Sequence, residues 1–368
     1  MRKVDCLIIG AGLSGAVVAR ELTDRGLKCL VVERRKHIGG NVRDKEINGI
    51  NVHLYGPHIF HTDNERIWEY VNQYGRFKNF INSPLANYKN EIYNLPFNMN
   101  TFRQIYGREC ITPTDAKRFI SEDIISYETP NNLEEFALSV VGRQIYEKLI
   151  KGYTEKQWGK SCRELSPDII KRIPLRFTYD NNYFGSAFQG IPINGYSELI
   201  KGLLEGVEVL TECECTCLSK RWLRTAKNVV LTGAIDEYYD YCYGALEYRS
   251  LKFEHEELNV KNYQGNAVIN YTSSDIPFTR VIEHKHFSGV DVPTTIITRE
   301  YPQKWDAGLD RFYPVNDEKN DRLYRNYKKL AEQDNLITVG RLSEFKYMNM
   351  DEAIENALKV VDSICEKQ

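Results

Sequence analysis

The feature that most constrains this fold is a glycine-spaced turn near the start of the chain. Residues 6–9 are apolar throughout, as in a buried parallel strand, and they lead into Gly10-x-Gly12-x-x-Gly15. In a dinucleotide-binding turn the first glycine makes the tight turn, the second lets backbone approach a pyrophosphate, and the third lets the helix pack on the strand. Residues 13–25 are amphipathic, so the pattern predicts a strand, a nucleotide-binding turn and a helix.

The acid that follows this unit indicates which nucleotide is bound. A second strand, residues 29–32, ends at Glu33, whose carboxylate can accept hydrogen bonds from both hydroxyls of an adenosine ribose. Glu33 would repel a ribose 2′-phosphate, which disfavours a phosphorylated nicotinamide cofactor. Arg34 directly after the acid, and Gly39-Gly40 shortly beyond it, are typical of flavoproteins of the glutathione-reductase type. The predicted cofactor is therefore FAD.

Composition and charge exclude several other classes of protein. The 368 residues predict two or three domains. Lys and Arg number 49 against 51 Asp and Glu, without a basic tract, so we expect no nucleic-acid and no membrane partner. The first strand begins too early for a signal peptide, and no apolar run is long enough to span a bilayer. Nine cysteines without framework spacing suit reduced thiols, so we expect a cytoplasmic protein.

The rest of the chain returns to the first sheet after long insertions. Apolar strands that end in glycine recur at residues 229–233 and 336–340, and with the first two strands they predict a discontinuous Rossmann-like sheet. Residues 97–160 carry helix signals, with capping patterns at Thr112-Pro113-x-Asp115 and Asn132-x-x-Glu135. Alternating strand patterns, which predict an antiparallel sheet, occur at residues 248–253, 267–271, 280–287 and 294–299.

The predicted fold class is therefore α/β, with a discontinuous Rossmann-like FAD-binding domain, an inserted helical domain and an antiparallel β-sheet domain that holds the substrate. We expect the FAD-binding domain at residues 1–80, 195–245 and 318–368, the helical domain at 81–165, and the sheet domain at 166–194 and 246–317. A strand expected over residues 207–218 would place Cys213, Cys215 and Cys217 on one face, as small core side chains.

Two polar segments have a functional and a structural interpretation. His53, His58 and His61 fit no zinc-binding helix, so we expect no metal, and these side chains are better suited to line the flavin site. Residues 152–160 are polar, aromatic and bounded by glycines, which predicts a mobile loop facing the substrate, with an ordinary interhelical loop as the alternative. Arg280, Ile282, His284 and His286 would share one strand face, for which a solvated polar face is the structural alternative.

Longer segments resemble the bacterial UDP-galactopyranose mutases over nearly the whole chain. They include Gly-Pro-His58-Ile-Phe-His61-Thr, Lys-Gly-Tyr153-Thr-Glu-Lys-Gln-Trp158-Gly, Arg172-Ile-Pro-Leu-Arg-Phe-Thr-Tyr, Glu-Tyr-Arg249-Ser-Leu-Lys-Phe-Glu, Asn-Ala-Val-Ile-Asn270, Thr-Arg280-Val-Ile-Glu-His-Lys-His-Phe, Tyr313-Pro-Val-Asn and Gly-Arg341-Leu. The resemblance implies a redox-neutral enzyme that interconverts UDP-galactopyranose and UDP-galactofuranose. In that family reduced FAD acts through N5 as a nucleophile at the anomeric carbon of the sugar. It also implies a homodimer, and NAD(P)H or another reductant that keeps the flavin reduced.

The same resemblance implies a role for individual residues. Arg172 and Arg280 match the two diphosphate-binding arginines, and with His58 and His61, beside the flavin, they form the expected catalytic set. The expected cofactor-binding residues are Gly10, Gly12, Gly15, Glu33, Arg34, Gly40, Asn41, His58 and Arg341. The expected substrate-binding residues are Asn82, Tyr153, Trp158, Arg172, Tyr183, Arg249, Asn270, Arg280, Tyr313 and Tyr347.

Several alternatives stay open at this point. A mutase acting on UDP-N-acetylgalactosamine could share every motif, although His58 favours the unsubstituted sugar. An amine-oxidase-like FAD oxidoreductase shares the N-terminal pattern, but this class does not account for the paired arginines. A non-catalytic flavin or nucleotide-sugar binding protein and a simple NAD dehydrogenase are further alternatives. Asn349 stands where family members commonly have Asp, which places any electrostatic role of that position in question.

Overall fold

The structure is a computed structural model that describes residues 3–171, 175–219, 223–224 and 226–366. Its strands are β1 (Val4–Ile9), β2 (Cys29–Val32), β3 (Asp44–Ile47), β4 (Ile50–His53), β5 (Phe60–Thr62), β6 (Phe77–Asn79), β7 (Leu85–Tyr88), β8 (Glu91–Asn94), β9 (Phe188–Pro192), β10 (Glu208–Leu210), β11 (Ala226–Leu231), β12 (Tyr248–Leu258), β13 (Val268–Tyr271), β14 (Arg280–Glu283), β15 (Thr295–Lys304), β16 (Tyr313–Pro314) and β17 (Leu336–Thr338).

The α-helices are α1 (Leu13–Asp24), α2 (Glu65–Tyr74), α3 (Met99–Tyr106), α4 (Pro113–Asp123), α5 (Leu133–Val140), α6 (Arg143–Ile145), α7 (Gly152–Trp158), α8 (Tyr196–Leu203), α9 (Ile235–Tyr238), α10 (Lys285–Ser288), α11 (Glu318–Gln333) and α12 (Met350–Glu366). A π-helical turn, Tyr146–Lys151, joins α6 to α7, and short 3₁₀ turns cover Gly40–Val42, Cys162–Glu164 and Pro167–Ile169. Within the part of the chain that the structure describes, no helix is both long and apolar enough to cross a membrane.

The first layer is a five-stranded parallel sheet in the order β10-β2-β1-β11-β17. The predicted discontinuous Rossmann-like sheet is therefore confirmed, because β11 and β17 return from distant parts of the chain to extend β1 and β2. Helices α1 and α12 pack against each other on one face of this sheet, and their apolar residues form one core with β1, α2 and α8. This packing holds the glycine turn at the carboxyl end of the sheet.

The second layer is a seven-stranded sheet in the order β16-β12-β15-β14-β13-β7-β8. Its pairs are antiparallel except for β13 with β7, which are parallel, so the predicted antiparallel sheet is largely confirmed. The structure differs from the expected helical domain, residues 81–165, at its start: β7 and β8 belong to this sheet. These strands are too short to show the alternation of apolar and polar residues by which a strand is recognised in a sequence.

The capping patterns of the helical segment begin helices as predicted. The Thr112 side chain accepts a hydrogen bond from Asp115 N–H at the start of α4, and Asn132 accepts one from Glu135 N–H at the start of α5. Helices α3 to α7 then share one apolar core that contains Phe102 and Leu133. This core packs beside the second sheet and carries α7 towards it.

The loop predicted over residues 152–160 is wrong, since α7 occupies Gly152 to Trp158. Gly152 permits close packing instead of breaking the helix: a Cβ at this position would lie 2.4 Å from the Thr272 carbonyl oxygen. The helix ends only at Gly159, which has a left-handed φ of +66°. Sequence alone could not separate these two uses of glycine, because the neighbouring strand that requires Gly152 is distant in the chain.

Two strand predictions also need correction. The strand expected over residues 207–218 is limited to β10. Beyond it, the Cys213 N–H donates to the Glu33 carbonyl. The Cys215 side chain is buried, whereas Cys213 and Cys217 are half-buried. Strand β14 ends at Glu283, so His284 and His286 do not continue it. His284 is fully buried, which contradicts a solvated polar face.

Candidate functional site

Two cavities meet between the parallel sheet and the seven-stranded sheet. The first cavity follows the glycine turn and the ends of β1, β2 and β11, and the second lies over the seven-stranded sheet. The residues that line both cavities, and so mark their junction, are Asn41, His58, Arg341, Asn349 and Met350. A ligand in the first cavity would therefore be in reach of a ligand in the second.

The glycine turn has the shape that its spacing predicts. A Cβ on Gly15 would lie 2.0 Å from the Gly10 carbonyl oxygen, so only glycine lets α1 approach β1 this closely. At Gly12 the nearest atom to such a Cβ would be the Gly40 Cα, at 3.9 Å. Gly12 therefore leaves open space towards the first cavity, which is what a cofactor pyrophosphate at the start of a helix requires.

Glu33 lies buried at the end of β2 on the first cavity. One carboxylate oxygen accepts the Ala11 N–H at 2.8 Å and the other accepts the Arg35 N–H at 2.9 Å. Each oxygen keeps a further lone pair for a ribose hydroxyl. Arg34 lines the same cavity and donates to Glu237 at 2.6 Å. The donors, the acid and the open glycine backbone fit the adenosine diphosphate part of FAD.

His58 stands at the junction of the cavities, and its hydrogen bonds fix which ring nitrogen carries the proton. Its Nδ1 lies 2.8 Å from the Gly56 carbonyl oxygen, which cannot donate, so we assign the proton to Nδ1 and leave Nε2 as the acceptor. Its backbone N–H donates to His53 Nδ1 at 3.1 Å. Burial lowers the pKa of His58 to about 3 and that of His53 to about 4, so both are neutral at pH 7.

His61 lies on the second cavity instead, and burial lowers its pKa. Its ring stacks on Phe184 with centroids 3.8 Å apart, and its Nδ1 lies 3.3 Å from the Ser186 hydroxyl. The two predicted flavin-side histidines are therefore both at the cavities but in different places. Only His58 also reaches the first cavity.

Three polar side chains form a row across the floor of the second cavity. Asn270 on β13 is paired with Arg280 on β14, and Arg280 is paired with Glu300 on β15. Residues paired in this way have side chains on the same face of the sheet. All three line the second cavity. The register of the strands thus brings an amide, a cation and an acid into one line.

Arg280 is the central cation of this row. Its Nη2 donates to the Tyr153 hydroxyl at 2.9 Å, and its Nε lies 3.1 Å from the Glu300 carboxylate. Burial by itself lowers the pKa of Arg280, but Glu300 together with Tyr153 and Tyr313 outweighs burial, and the pKa lies well above its ordinary value. The guanidinium is therefore charged at every physiological pH, with its Nη1 edge left for an anion.

Tyrosines provide further hydroxyl donors around Arg280. The predicted substrate residues Tyr153, Tyr183, Tyr313 and Tyr347 all line the second cavity, as does Asn82. The rings of Tyr313 and Tyr347 lie in a stacked orientation with centroids 6.1 Å apart, and the Arg341 guanidinium lies 4.8 Å from the Tyr347 centroid. Burial raises the pKa of Tyr153 and Tyr313, so both stay protonated donors at neutral pH.

Three predicted substrate residues are not placed on the second cavity. Arg172 lies outside the described residues. Trp158 packs at the edge of the helical core. Arg249 is buried under the end of α7, where its Nε donates to the Gln157 carbonyl oxygen at 2.7 Å. Among the described residues, no carboxylate lies within ion-pair distance of Arg249, which caps the helix and does not line the second cavity.

The sequence reasoning missed Glu300 altogether. It lies within β15, among residues that give no local sign of a site, and only its register opposite Arg280 shows its place. Glu237 was also missed, because it belongs to a single-turn helix after β11 and reaches the first cavity through the fold. A buried acid opposite a candidate arginine would have been a usable signal, had the strand pairing been known.

Comparison with known proteins places this architecture in one family. A family model described as UDP-galactopyranose mutase matches residues 148–347, and one described as an NAD(P)-binding Rossmann-like domain matches residues 8–74. A dTDP-fucopyranose mutase of Escherichia coli is 39% identical, with 98% of this chain and 97% of that protein covered. A protein of Klebsiella pneumoniae named "Probable UDP-galactopyranose mutase" is 40% identical, covering 98% and 95%. The crystal structure of a reduced UDP-galactopyranose mutase superposes with a TM-score of 0.77 at 15% identity, over 100% of this chain and 95% of that one, which shows the shared fold.

Proposed function

The chain belongs to the UDP-galactopyranose mutase family, and from this premise we propose that it interconverts UDP-galactopyranose and UDP-galactofuranose without net oxidation or reduction. It is an isomerase whose cofactor is FAD. The observation that carries the proposal is the junction of the two cavities, where His58 and Arg341 line both and Arg280 lies across the second.

The first cavity holds the cofactor through residues that suit each of its parts. Gly12 and the start of α1 accept the pyrophosphate, and Glu33 accepts hydrogen bonds from the adenosine ribose. Asn41, His58 and Arg341 lie at the junction, where the isoalloxazine end would reach the substrate. When bound and reduced, the flavin supplies through N5 the nucleophile for the anomeric carbon of the sugar.

The second cavity holds the nucleotide sugar and its leaving group. The free Nη1 edge of Arg280 and the hydroxyls of Tyr313 and Tyr347 bind the diphosphate, whose negative charge grows as the glycosidic bond breaks. Asn82 and Asn270 offer amides that suit sugar hydroxyls. We propose Arg172 as a second diphosphate cation on the strength of the resemblance alone. Trp158 and Arg249 contribute through α7, which carries Tyr153 to Arg280.

A second candidate substrate has a specific observation in its favour. The relative named dTDP-fucopyranose mutase is about as similar to this chain as the one named for UDP-galactopyranose, 39% against 40% identity. The two substrates differ by a ribose 2′-hydroxyl and a base methyl, and by a hydroxyl on C6 of the sugar. A site that hydrogen-bonds a substrate hydroxyl strongly rejects the analogue that lacks it. A site built for that analogue rejects the hydroxylated substrate much less strongly. Comparing the two substrates therefore identifies the one for which the site is built.

The test is an anaerobic turnover assay on the purified yellow protein, with and without dithionite. UDP-galactofuranose, dTDP-fucofuranose and the furanose form of UDP-N-acetylgalactosamine are incubated separately, and the products are separated by chromatography. We expect UDP-galactopyranose only from reduced protein, with no reductant consumed in proportion to product. If either of the other two nucleotide sugars is turned over preferentially, that nucleotide sugar is the substrate instead. A reductant consumed mole for mole would show an oxidoreductase.

Three further properties are proposed. An NAD(P)H donor is proposed for reducing the flavin, and a homodimer as the assembly, both because of the family resemblance. A cytoplasmic location is proposed because all nine cysteines are free thiols in the structure, as is typical of a reducing compartment. Stopped-flow reduction by NADH or NADPH and light scattering test the first two.

A further inference from the structure

We infer that Glu300 is a positioning residue for the reaction, one that acts by fixing the orientation of the Arg280 guanidinium. The inference rests on the proposed function only for its kinetic readout. Glu300 is 1% exposed, lines the second cavity and lies directly across the strand pair from Arg280. Among the described residues, none of the expected catalytic or substrate residues holds Arg280 from this side.

The residues that the structure describes hold the guanidinium of Arg280 along one edge only. Nε and Nη2 lie on the same edge of the guanidinium plane, and they contact Glu300 and the Tyr153 hydroxyl, respectively. The Nε–H is not aligned for a hydrogen bond in this structure, so the Glu300 contact is an ion pair at 3.1 Å. The opposite edge, with Nη1, is left to meet an anion in the cavity. Because the Glu300 carboxylate contacts one edge of the guanidinium, the other edge faces the substrate.

Glu300 is in turn held firmly. The Thr279 hydroxyl, which is fully buried, lies 3.3 Å from the same Glu300 carboxylate oxygen, and the Thr279 backbone N–H donates to the Glu300 carbonyl at 2.9 Å. The other carboxylate oxygen lies 3.5 Å from where a Cβ on Gly56 would stand. The histidine segment that carries His58 therefore packs against Glu300, and its backbone at Gly56, where φ is +98°, would be strained by any residue with a side chain.

The physical consequence concerns preorganisation rather than binding strength. A free guanidinium can follow the diphosphate wherever it moves, whereas a fixed one stabilises the charge only at the position of the departing UDP. Stabilising groups that need no reorganisation during the reaction account for large parts of enzymatic rate enhancement. Removing the Glu300 charge also removes repulsion of the diphosphate. We therefore expect ground-state binding of UDP to be kept and the rate to fall.

Glu300→Gln is the test variant, because the amide oxygen can still accept from Thr279 while the charge is lost. We expect kcat to fall about tenfold to a hundredfold, while Kd for UDP stays within about threefold of the wild-type value or becomes lower. Glu283→Gln is the matched control. Glu283 is a fully buried acid on β14 that accepts backbone hydrogen bonds from Tyr263 and Gln264, away from the cavities. It should lower Tm and leave kcat unchanged.

A double-variant comparison separates positioning from a structural role. An ammonium has no edge to orient, so in an Arg280→Lys background the change Glu300→Gln should alter kcat by less than about twofold. A loss of the same size in both backgrounds would overturn the inference, as would a Glu300→Gln variant with wild-type kcat. A fall in Tm with UDP binding weakened in proportion would indicate that Glu300 only supports the fold.

An NMR measurement is independent of turnover. In protein labelled with ¹⁵N-arginine, the Nε–H signal of Arg280 is assigned by its loss in Arg280→Lys. We expect slow rotation of the guanidinium about its Nε–Cζ bond in wild-type and Glu283→Gln protein and faster rotation in Glu300→Gln, because the ion pair holds one edge. Unchanged rotation would refute the positioning role even with an active enzyme. If wild-type protein fails to turn over UDP-galactofuranose, the proposed function is wrong, and this signal still decides the role of Glu300.

Discussion

The two cavities are built by different means, although they meet at the same five residues. The core of the first is a contiguous stretch: β1, the glycine turn, α1 and β2 follow one another within the first 33 residues. The second is assembled from β13, β14 and β15 and from loops as far apart as Tyr55 and Tyr347. The comparison shows that a phosphate-binding turn is a local property of a sequence, whereas a row of catalytic side chains is a property of strand register.

The largest expected effect breaks the first cavity and leaves the second without a cofactor. Gly15→Val would place a Cβ 2.0 Å from the Gly10 carbonyl oxygen, so α1 must move away from β1. We expect protein purified without flavin, no measurable turnover, and an unfolding free energy lower by about 1–3 kcal/mol. Flavin absorbance per protein and urea unfolding measure both.

Gly26→Asn is the matched control for that change. Gly26 has a φ of +84°, nothing lies within 4 Å of a Cβ built on it, and asparagine tolerates this backbone conformation. Full flavin content in the Gly15→Val protein would show that the turn does not depend on the close packing described above.

The second largest effect should occur in the second cavity alone. Arg280→Ala removes the central cation, and we expect kcat to fall about a hundredfold or more and UDP affinity to fall about tenfold, with normal flavin content. Turnover kinetics and a UDP titration of the flavin spectrum provide the numbers. Arg299→Ala is the control, since Arg299 is the neighbouring residue of Glu300 on β15 but pairs with Glu256 at the surface. Wild-type turnover with unchanged UDP affinity in Arg280→Ala would contradict the assignment.

A third variant sharpens the comparison by testing an arginine of the same sheet that lies under α7 and does not line the second cavity. Arg249→Met loses the hydrogen bond to the Gln157 carbonyl at the end of α7. We expect the unfolding free energy to fall by about 1.5–3 kcal/mol and kcat per bound flavin to stay within about threefold. A loss of kcat as large as that of Arg280→Ala would show instead that Arg249 reaches the substrate, as the family resemblance implies.

The smallest effect concerns buried His53 and half-buried His58 at the junction. The folded pKa values of His53 and His58 are about 4 and about 3, below the ordinary value of 6.5. Groups with depressed folded pKa values of this kind stabilise the fold fully above pH 6.5, and this stability is lost as the pH falls from 6.5 towards 4. We expect a loss of about 1 kcal/mol per histidine by pH 5.5.

Urea unfolding of the flavin-loaded protein at pH 7.5, 6.5 and 5.5 measures this loss. His53→Gln should show a shallower dependence on pH over the same range, because one of the two titrating rings is absent. A stability that is flat between pH 7.5 and 5.5 would mean that His53 and His58 take up protons equally in the folded and the unfolded protein, so their folded pKa values would not be lowered.

Much of the architecture could be predicted because it depends on local patterns. The strands of the parallel sheet, the capped starts of α4 and α5, and the alternating strands of the second sheet all follow from neighbouring residues. The failures share one cause. Each of three features depends on a partner element far along the chain. These features are the helix at residues 152–158, the early end of β14, and the pairing of β7 and β8 with the second sheet.

The site residues divide in the same way. Gly12 and Glu33 were recognisable from spacing, and both line the first cavity. The substrate residues were assigned by resemblance, and of these the structure brings Tyr153, Asn270 and Arg280 together but turns Arg249 towards α7. A resemblance to a family indicates which residues match its site residues. Which side chains those residues contact can be seen only in the fold.

The sequence by itself determined the nucleotide-binding unit, since turn geometry, helix packing and the ribose acid lie within one short segment whose side chains interact with their neighbours. It also determined the family, through strings long enough to be specific. Only the tertiary structure decided that Glu300 stands opposite Arg280 and that His58 lies where the cavities meet. The physical reason is that a strand shifted by one residue presents the opposite side chains, so register between distant strands sets the contents of the cleft.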